Sequence, residues 1–214
     1  RDLPEAAFAL HIMPNAPFGM VSGRAGPLLA AADQLEIVVE GRGGHASMPH
    51  NTSDPMPVAC EIVTALQTMV TRQFDAHDPV VVTVARIEAG TTYNVIPDAV
   101  AMKGTLRTLS ARHRQQLHDA VRQLALGIAA AHGLAARVTV IEGFPVTVCD
   151  ARAVDLAEKV THELFGEAQF RRMERPIMGA EDFSYVIEKV PGAMLFLGVA
   201  AEGADWHCCE SIHS

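Results

Sequence analysis

Apolar and polar positions alternate through the middle of the chain, and this alternation predicts β-strands. Over residues 34–40, Leu35, Ile37 and Val39 recur at every second position, with Glu36 and Glu40 on the opposite face, the pattern of a strand with one buried face. Runs rich in β-branched residues or alternating in the same way follow later. The further strands are predicted over Val80–Ile87, Ala99–Thr108 and Arg137–Ile141.

Apolar residues at helical spacing predict three long helices. In the first of them, Val58, Ile62 and Leu66 lie on one face. The predicted helices cover Pro55–Gln73, Ala111–His132 and Ala151–Phe165. Between residues 33 and 144 the predicted order is β-α-β-β-α-β, which is typical of a ferredoxin-like fold with an antiparallel sheet and two helices on one face.

The regions before and after this pattern predict pieces of a second domain. Ala6–Leu10 is predicted as a short buried strand, residues 28–32 as a connector, and Ala193–Gly198 as another buried strand. The sequence therefore predicts an α/β protein with an inserted ferredoxin-like domain over 33–144, flanked by two pieces of another domain over 1–32 and 145–214. The abrupt start at an arginine predicts that the chain is a fragment.

Composition excludes several functional classes. The net charge is −8 and no stripe of Lys or Arg is present, which argues against nucleic-acid binding. The longest apolar run, at residues 193–201, is too short to span a bilayer. The absence of a signal-peptide pattern and of paired CxxC cysteines predicts a reducing, cytoplasmic location.

A glycine-framed stretch, GRGGHASMPH over residues 41–50, contains two histidines between a predicted strand and a predicted helix. Gly43 and Gly44 permit positive φ angles and close backbone approach. Loops of this kind often carry functional residues, so His45 and His50 are candidates. The alternative is a solvated turn whose histidines have no function.

Other candidate residues stand at strand or helix ends. His11 follows the first predicted strand, where ligand-binding side chains are common in α/β folds, and the alternative, which spacing alone favours, is a packed or capping histidine. Asn94 lies in a polar loop and suits a carbonyl or oxyanion contact, or a turn. Glu181 and Asp182 precede a predicted short helix, where acidic side chains are favoured by the helix dipole.

Several longer stretches together resemble one enzyme family. They are ALHIMP at Ala9–Pro14, the glycine stretch above, DPVVVTVARIEAGTTYNVIPD at Asp78–Asp98, GTLRT at Gly104–Thr108, MGAEDFS at Met178–Ser184 and IHS at Ile212–Ser214. In this order they resemble the aminoacylase and carboxypeptidase-like metallopeptidases. The branch they resemble most contains hippurate hydrolases, N-acyl-amino-acid amidohydrolases and indoleacetyl-amino-acid hydrolases, and the chain resembles its C-terminal part.

The resemblance implies a two-metal catalytic domain, with pieces over 1–32 and 145–214, and a ferredoxin-like lid or dimerisation domain that forms a homodimer through residues 33–144. It implies that His11 and His213 are ligands of divalent ions, which histidine chemistry leaves open among Zn, Mn, Co and Ni. It also implies that His45 stabilises the oxyanion, crossing into the neighbouring subunit's site. Asn94 would assist, and Arg107 would bind the carboxylate of an N-acyl amino acid. The implied cleft lining is Met178, Gly179 and Glu181.

The chain also departs from the family pattern. The family's Cys-x-His pair, bridging carboxylate and Glu-Glu pair lie upstream of the first histidine and have no counterpart here. We therefore expect the 214 residues alone to be inactive. Three alternatives stay open: a local metal site at His207, Cys208, Cys209 and His213, a dimerisation module without catalysis, and a related carboxypeptidase or dipeptidase.

Overall fold

A computed structural model describes residues 3–200. The strands are β1 Ala7–Pro17, β2 Val21–Gly23, β3 Gly26–Leu29, β4 Ala31–Glu40, β5 Gly44–His45, β6 Val80–Ala89, β7 Val95–Ile96, β8 Ala99–Thr108, β9 Ala135–Glu142, β10 Thr147–Cys149, β11 Phe170–Arg172 and β12 Gly192–Ala200. The helices are α1 Pro55–Gln73, α2 Ala111–Ala131, α3 Ala151–Phe165 and α4 Ser184–Ile187, with short 3₁₀ turns at Pro49–Asn51 and Glu167–Gln169.

The chain divides into two compact units. Residues 31–143 form the unit that we call the inner unit. Residues 3–30 and 144–200, as far as the structure describes them, form the outer unit.

The inner unit is an antiparallel sheet with two packed helices. Its strand order is β6-β8-β4-β9. Helices α1 and α2 bury apolar faces, and residues such as Ile62 and Leu66 from α1 and Leu117 from α2 join the sheet in one core. The mixed α/β fold class is confirmed. The bounds of α1 and β8 match the predicted ones, because periodicity and end signals agree there.

Capping residues mark the ends of the long helices. The carboxylate of Asp54 accepts a hydrogen bond from the backbone N–H of Met56 at the start of α1, and Ser110 accepts one from His113 at the start of α2. Gly133, just beyond α2, has a φ of 70°, a conformation that favours glycine.

The outer unit contains a mixed sheet of order β1-β12-β2-β11 and a small antiparallel pair, β10 with β3. Strands β1 and β12 run parallel, and β2 is antiparallel to β12. Its core includes Val154 from α3 and Met194 and Phe196 from β12.

Two details of the outer unit differ from the predictions. The strand predicted over Ala6–Leu10 forms, but it is not buried: Phe8, Leu10 and Ile12 share one face of β1, and no layer of the described residues covers that face. The connector predicted over residues 28–32 is instead the end of β3 and the start of β4. Sequence periodicity reports side-chain character, and the neighbours of a strand decide its burial.

Among the described residues, no helix is long and apolar enough to cross a membrane.

Candidate functional site

The glycine loop of the inner unit is held by close backbone contacts. A Cβ atom at Gly41 would collide with the carbonyl oxygen of Ser53, and one at Gly43 would collide with that of Ile96. The N–H of Gly43 also donates to the carboxylate of Asp98 at 2.8 Å. The close backbone approach expected at Gly43 is confirmed, and neither Gly43 nor Gly44 adopts the positive φ that glycine permits.

His45 lies in β5, and its ring geometry selects one tautomer. The backbone N–H of Ser47 donates to Nδ1 of His45 at 3.2 Å, and the Ser47 hydroxyl lies 2.7 Å from the same nitrogen. A backbone N–H can only donate, so Nδ1 must carry a lone pair, and the proton of the neutral ring lies on Nε2. The exposed ring therefore presents an N–H donor outward from the loop.

Asn94 lies beside His45 because β5 pairs with β7. The backbone N–H of Ala46 donates to the carbonyl of Asn94 at 3.0 Å, and the Asn94 side-chain oxygen accepts from the hydroxyl of Thr92 at 3.2 Å. Its side-chain NH₂ group has no hydrogen-bond partner among the described residues. The loop thus places the backbone of Asn94 next to the residue that follows His45.

Arg107 lies in β8 and is directed along its own strand. Its guanidinium donates to the hydroxyl of Thr105 and to the carbonyl of Leu106. Burial lowers the pKa of the Arg107 guanidinium, while the nearby carboxylate of Asp33 opposes that shift. The described contacts do not bring Arg107 together with His45 or Asn94.

His11 and Glu181 meet in the outer unit although 170 residues separate them in sequence. Nδ1 of His11 lies 3.1 Å from a carboxylate oxygen of Glu181, and the His11 ring meets the edge of Phe196 at a centroid distance of 6.1 Å. Metal-binding histidines commonly hold a carboxylate with one ring nitrogen and the metal with the other. This pairing leaves Nε2 of His11 for a ligand.

Fewer contacts are described for the remaining candidate residues. Gly179 accepts a hydrogen bond through its carbonyl from the N–H of Ala30 at 2.8 Å, which anchors the segment that contains Met178 and Glu181. His213 and the cysteine- and histidine-rich end lie outside the described residues. Within residues 3–200, no cluster of three or more His, Cys, Asp or Glu side chains could hold a metal ion. The described residues alone therefore do not fit a complete metal centre.

A buried ionic cluster in the inner unit was not found from the sequence. Arg114 donates two hydrogen bonds to the carboxylate of Asp33, and Nε2 of His118 lies 2.7 Å from it. The N–H of Gly143 also donates to Asp33, at 3.0 Å. Burial by itself would raise the pKa of Asp33, but the hydrogen bonds from Arg114, Gly143 and His118 outweigh it and hold that pKa below its ordinary value. In the sequence, Asp33 is a single acidic residue at the start of a strand. Nothing near it indicates that Arg114, His118 and Gly143, which are distant in sequence, are its partners.

Comparison with known proteins relates most of the chain to hydrolases. Residues 31–132 match the family model described as the peptidase dimerisation domain, M20_dimer. The chain is 36% identical over 94% of its length to an N-acetylcysteine deacetylase of Bacillus subtilis and covers 52% of that protein. It is 39% identical over 92% of its length to an IAA-amino acid hydrolase of Arabidopsis thaliana and covers 45% of it. The chain thus spans about half the length of these curated relatives.

A carboxypeptidase and a solved structure extend the comparison. Thermostable carboxypeptidase 2 of Saccharolobus solfataricus is 35% identical over 91% of the chain, which covers 49% of that protein. A crystal structure described as a dinuclear metal binding peptidase, from Bacillus subtilis, superposes with a TM-score of 0.75 at 31% identity. The match covers 95% of this chain and 50% of that one.

Proposed function

Since this chain belongs to the M20 peptidase family, we propose that it forms part of a metal-dependent amidohydrolase that cleaves the amide bond of N-acyl amino acids. The names of the deacetylase and IAA-amino acid hydrolase relatives support this substrate class. The chain spans about half of each relative, so the proposal concerns the whole protein that contains it.

The observation that carries the proposal is the state of His45. Its Nδ1 accepts from the backbone N–H of Ser47, so its Nε2–H is the donor, and the backbone of Asn94 is bonded to the next residue, Ala46. Amide hydrolysis develops negative charge on the carbonyl oxygen, and preorganised donors stabilise that charge. His45 would donate to this oxygen, Asn94 would support it, and Arg107 would hold the substrate carboxylate.

His11, with Glu181 on its other nitrogen, is proposed as one ligand of a pair of divalent metal ions, and His213 as another. Such ions supply an activated water for hydrolysis when bound. The described residues do not complete this centre, so we propose that further ligands and the general base come from the rest of the protein.

We further propose that residues 31–132, the dimerisation-domain match, join two copies of the protein. Strands β6 and β9 are the two edges of the inner sheet, and pairing with a second copy is one way to cover such an edge.

The test substitutes His45→Ala in the full-length, metal-loaded protein, with His50→Ala as the control from the same loop. We expect His45→Ala to reduce kcat by about 10²–10³-fold, since one oxyanion donor is removed. His50→Ala should leave kcat within a factor of about two, and the 214-residue chain alone should show no hydrolysis. Unchanged kcat for His45→Ala, or metal-dependent hydrolysis by the 214 residues, would contradict the proposal.

The carboxypeptidase relative supports a second candidate, cleavage of a C-terminal amino acid from a peptide. A substrate panel separates the two. N-acyl amino acids and unblocked peptides that share one C-terminal residue should differ in kcat/KM, in favour of the former under the main proposal. A folded dimer that cleaves neither class would favour a dimerisation module without catalysis.

A further inference from the structure

A pocket of the outer unit has no role in the chemistry above. Its volume is about 340 Å³, within the lower range of small-molecule sites. It lies at the end of the mixed sheet where β1 and β12 finish. Residues that line it include Met13, Met20, Ser22, Arg171, Met173 and Phe196.

The strand register places this pocket on the same sheet face as His11. His11 lies opposite Phe196, Phe196 opposite Ser22, and Ser22 opposite Arg171, so one row crosses the four strands. Directly paired residues point to the same face of a sheet. The row therefore begins at the proposed metal ligand and continues into the pocket.

Phe196 contacts His11 and also lines the pocket. Its ring lines the pocket and also meets the ring of His11 edge to face, at 6.1 Å between centroids. Met13 lies two residues after His11 on β1, on the same face, and lines the pocket as well. A molecule bound at Nε2 of His11 would have this wall as its neighbour.

The chemistry of the wall selects an apolar group. Three methionines and a phenylalanine supply carbon and sulfur surface, and methionine adapts to differently shaped ligands. The charged side chains at the rim, Arg171, Glu174 and Arg175, are all exposed. A volume of 340 Å³ holds roughly ten heavy atoms at about 30 Å³ each.

We infer that this pocket receives the acyl group of the substrate and selects apolar acyl groups of medium length over acetyl. The inference rests on the proposed function, because that function supplies a substrate with an acyl group. The cationic side chains of the pocket, Arg171 and Arg175, are at its exposed rim, whereas the carbon and sulfur surface of the methionines and Phe196 suits a flexible chain of four to eight carbons.

Binding is measured first, independently of activity. The full-length protein is labelled at its methionine methyl groups and titrated with N-hexanoylglycine or N-acetylglycine. We expect N-hexanoylglycine to shift the NMR signals of Met13, Met20 and Met173, and N-acetylglycine to leave them in place. Met69 and Met102, buried in the inner unit, should not move with either. Unmoved signals for the three pocket methionines would overturn the inference.

Substrate specificity is measured in a variant whose pocket is filled by a larger side chain. Ala16→Trp adds bulk at a lining residue, and Asn15→Trp adds the same bulk next to it, outside the lining. The native enzyme should prefer hexanoyl over acetyl substrate by at least about tenfold in kcat/KM. Ala16→Trp should lower that ratio to about one, and Asn15→Trp should keep it.

The outcomes distinguish a failure of this inference from a failure of the proposed function. Absence of amide hydrolysis for every acyl length, with the methionine signals still shifting, would refute the function and retain an apolar site. Hydrolysis that is indifferent to chain length and to Ala16→Trp would refute the pocket assignment alone. A native preference for acetyl would also refute it.

Discussion

The two units handle apolar surface differently. In the inner unit, α1 buries its stripe of Val58, Ile62 and Leu66 against the sheet. In the outer unit, α3 buries Val154 but leaves Leu164 67% exposed. Other exposed apolar residues of this unit include Phe8, Leu10, Ile12, Leu156, Val160 and Phe165. The stripe of α1 is thus covered within the inner unit, whereas α3 and β1 present apolar side chains that the described residues of the outer unit do not cover.

The largest expected effect comes from the ionic cluster that closes the inner unit. Asp33→Ala leaves Arg114 and His118 without their buried anion, and we expect a loss of about 3–5 kcal/mol in the free energy of unfolding. Glu36→Ala, which removes the partly exposed ion pair with Lys103, should cost less than about 1 kcal/mol. Urea denaturation measures the free energy of unfolding of both variants. Equal losses would mean that the Asp33 cluster stabilises the inner unit no more than an exposed ion pair does.

The next effect compares one leucine from each unit. Leu66→Ala empties a site with 0% exposure and should cost about 2–5 kcal/mol. Leu164→Ala removes an exposed side chain and should cost less than about 0.5 kcal/mol. Denaturation of the full-length protein decides: a large loss for Leu164→Ala would mean that this surface is covered in solution.

The smallest effect is the response to acid. The pKa of Asp33 is lower in the folded protein than in the unfolded chain. The contribution of its carboxylate to the free energy of unfolding is therefore present above about pH 4. That contribution is lost as the pH falls through the folded-state pKa. We expect Asp33→Asn to lose less stability than the native protein between pH 5 and about pH 2, in thermal melts. Glu36→Gln serves as the exposed-carboxylate control and should keep the native profile.

Local pattern was sufficient for most elements of the inner unit. The helix at Pro55–Gln73 has a capping aspartate, a proline in its first turn and a regular apolar stripe, so its ends could be predicted. The burial of β1 could not, since Phe8 and Leu10 have the same apolar character whether or not another layer covers them.

The candidate site divides in the same way. The glycine loop was predicted because its signal is local, and the hydrogen bond that sets the His45 tautomer spans only two residues. The partnership of His11 with Glu181 spans 170 residues, and that of Asp33 with Arg114 spans 81. Such pairs depend on chain topology, which a single sequence does not reveal.

The strand order also has a consequence for synthesis on the ribosome. The inner unit is continuous in sequence, and its first and last strands pair directly, with Asp33 opposite Glu142. It can fold as soon as residue 143 has left the exit tunnel. Strand β1 must wait for β12, because Ala7 pairs with Gly192. At about 5–20 residues per second, β1 therefore remains without its neighbour for roughly 10–40 s, a period in which its apolar side chains are open to chaperones.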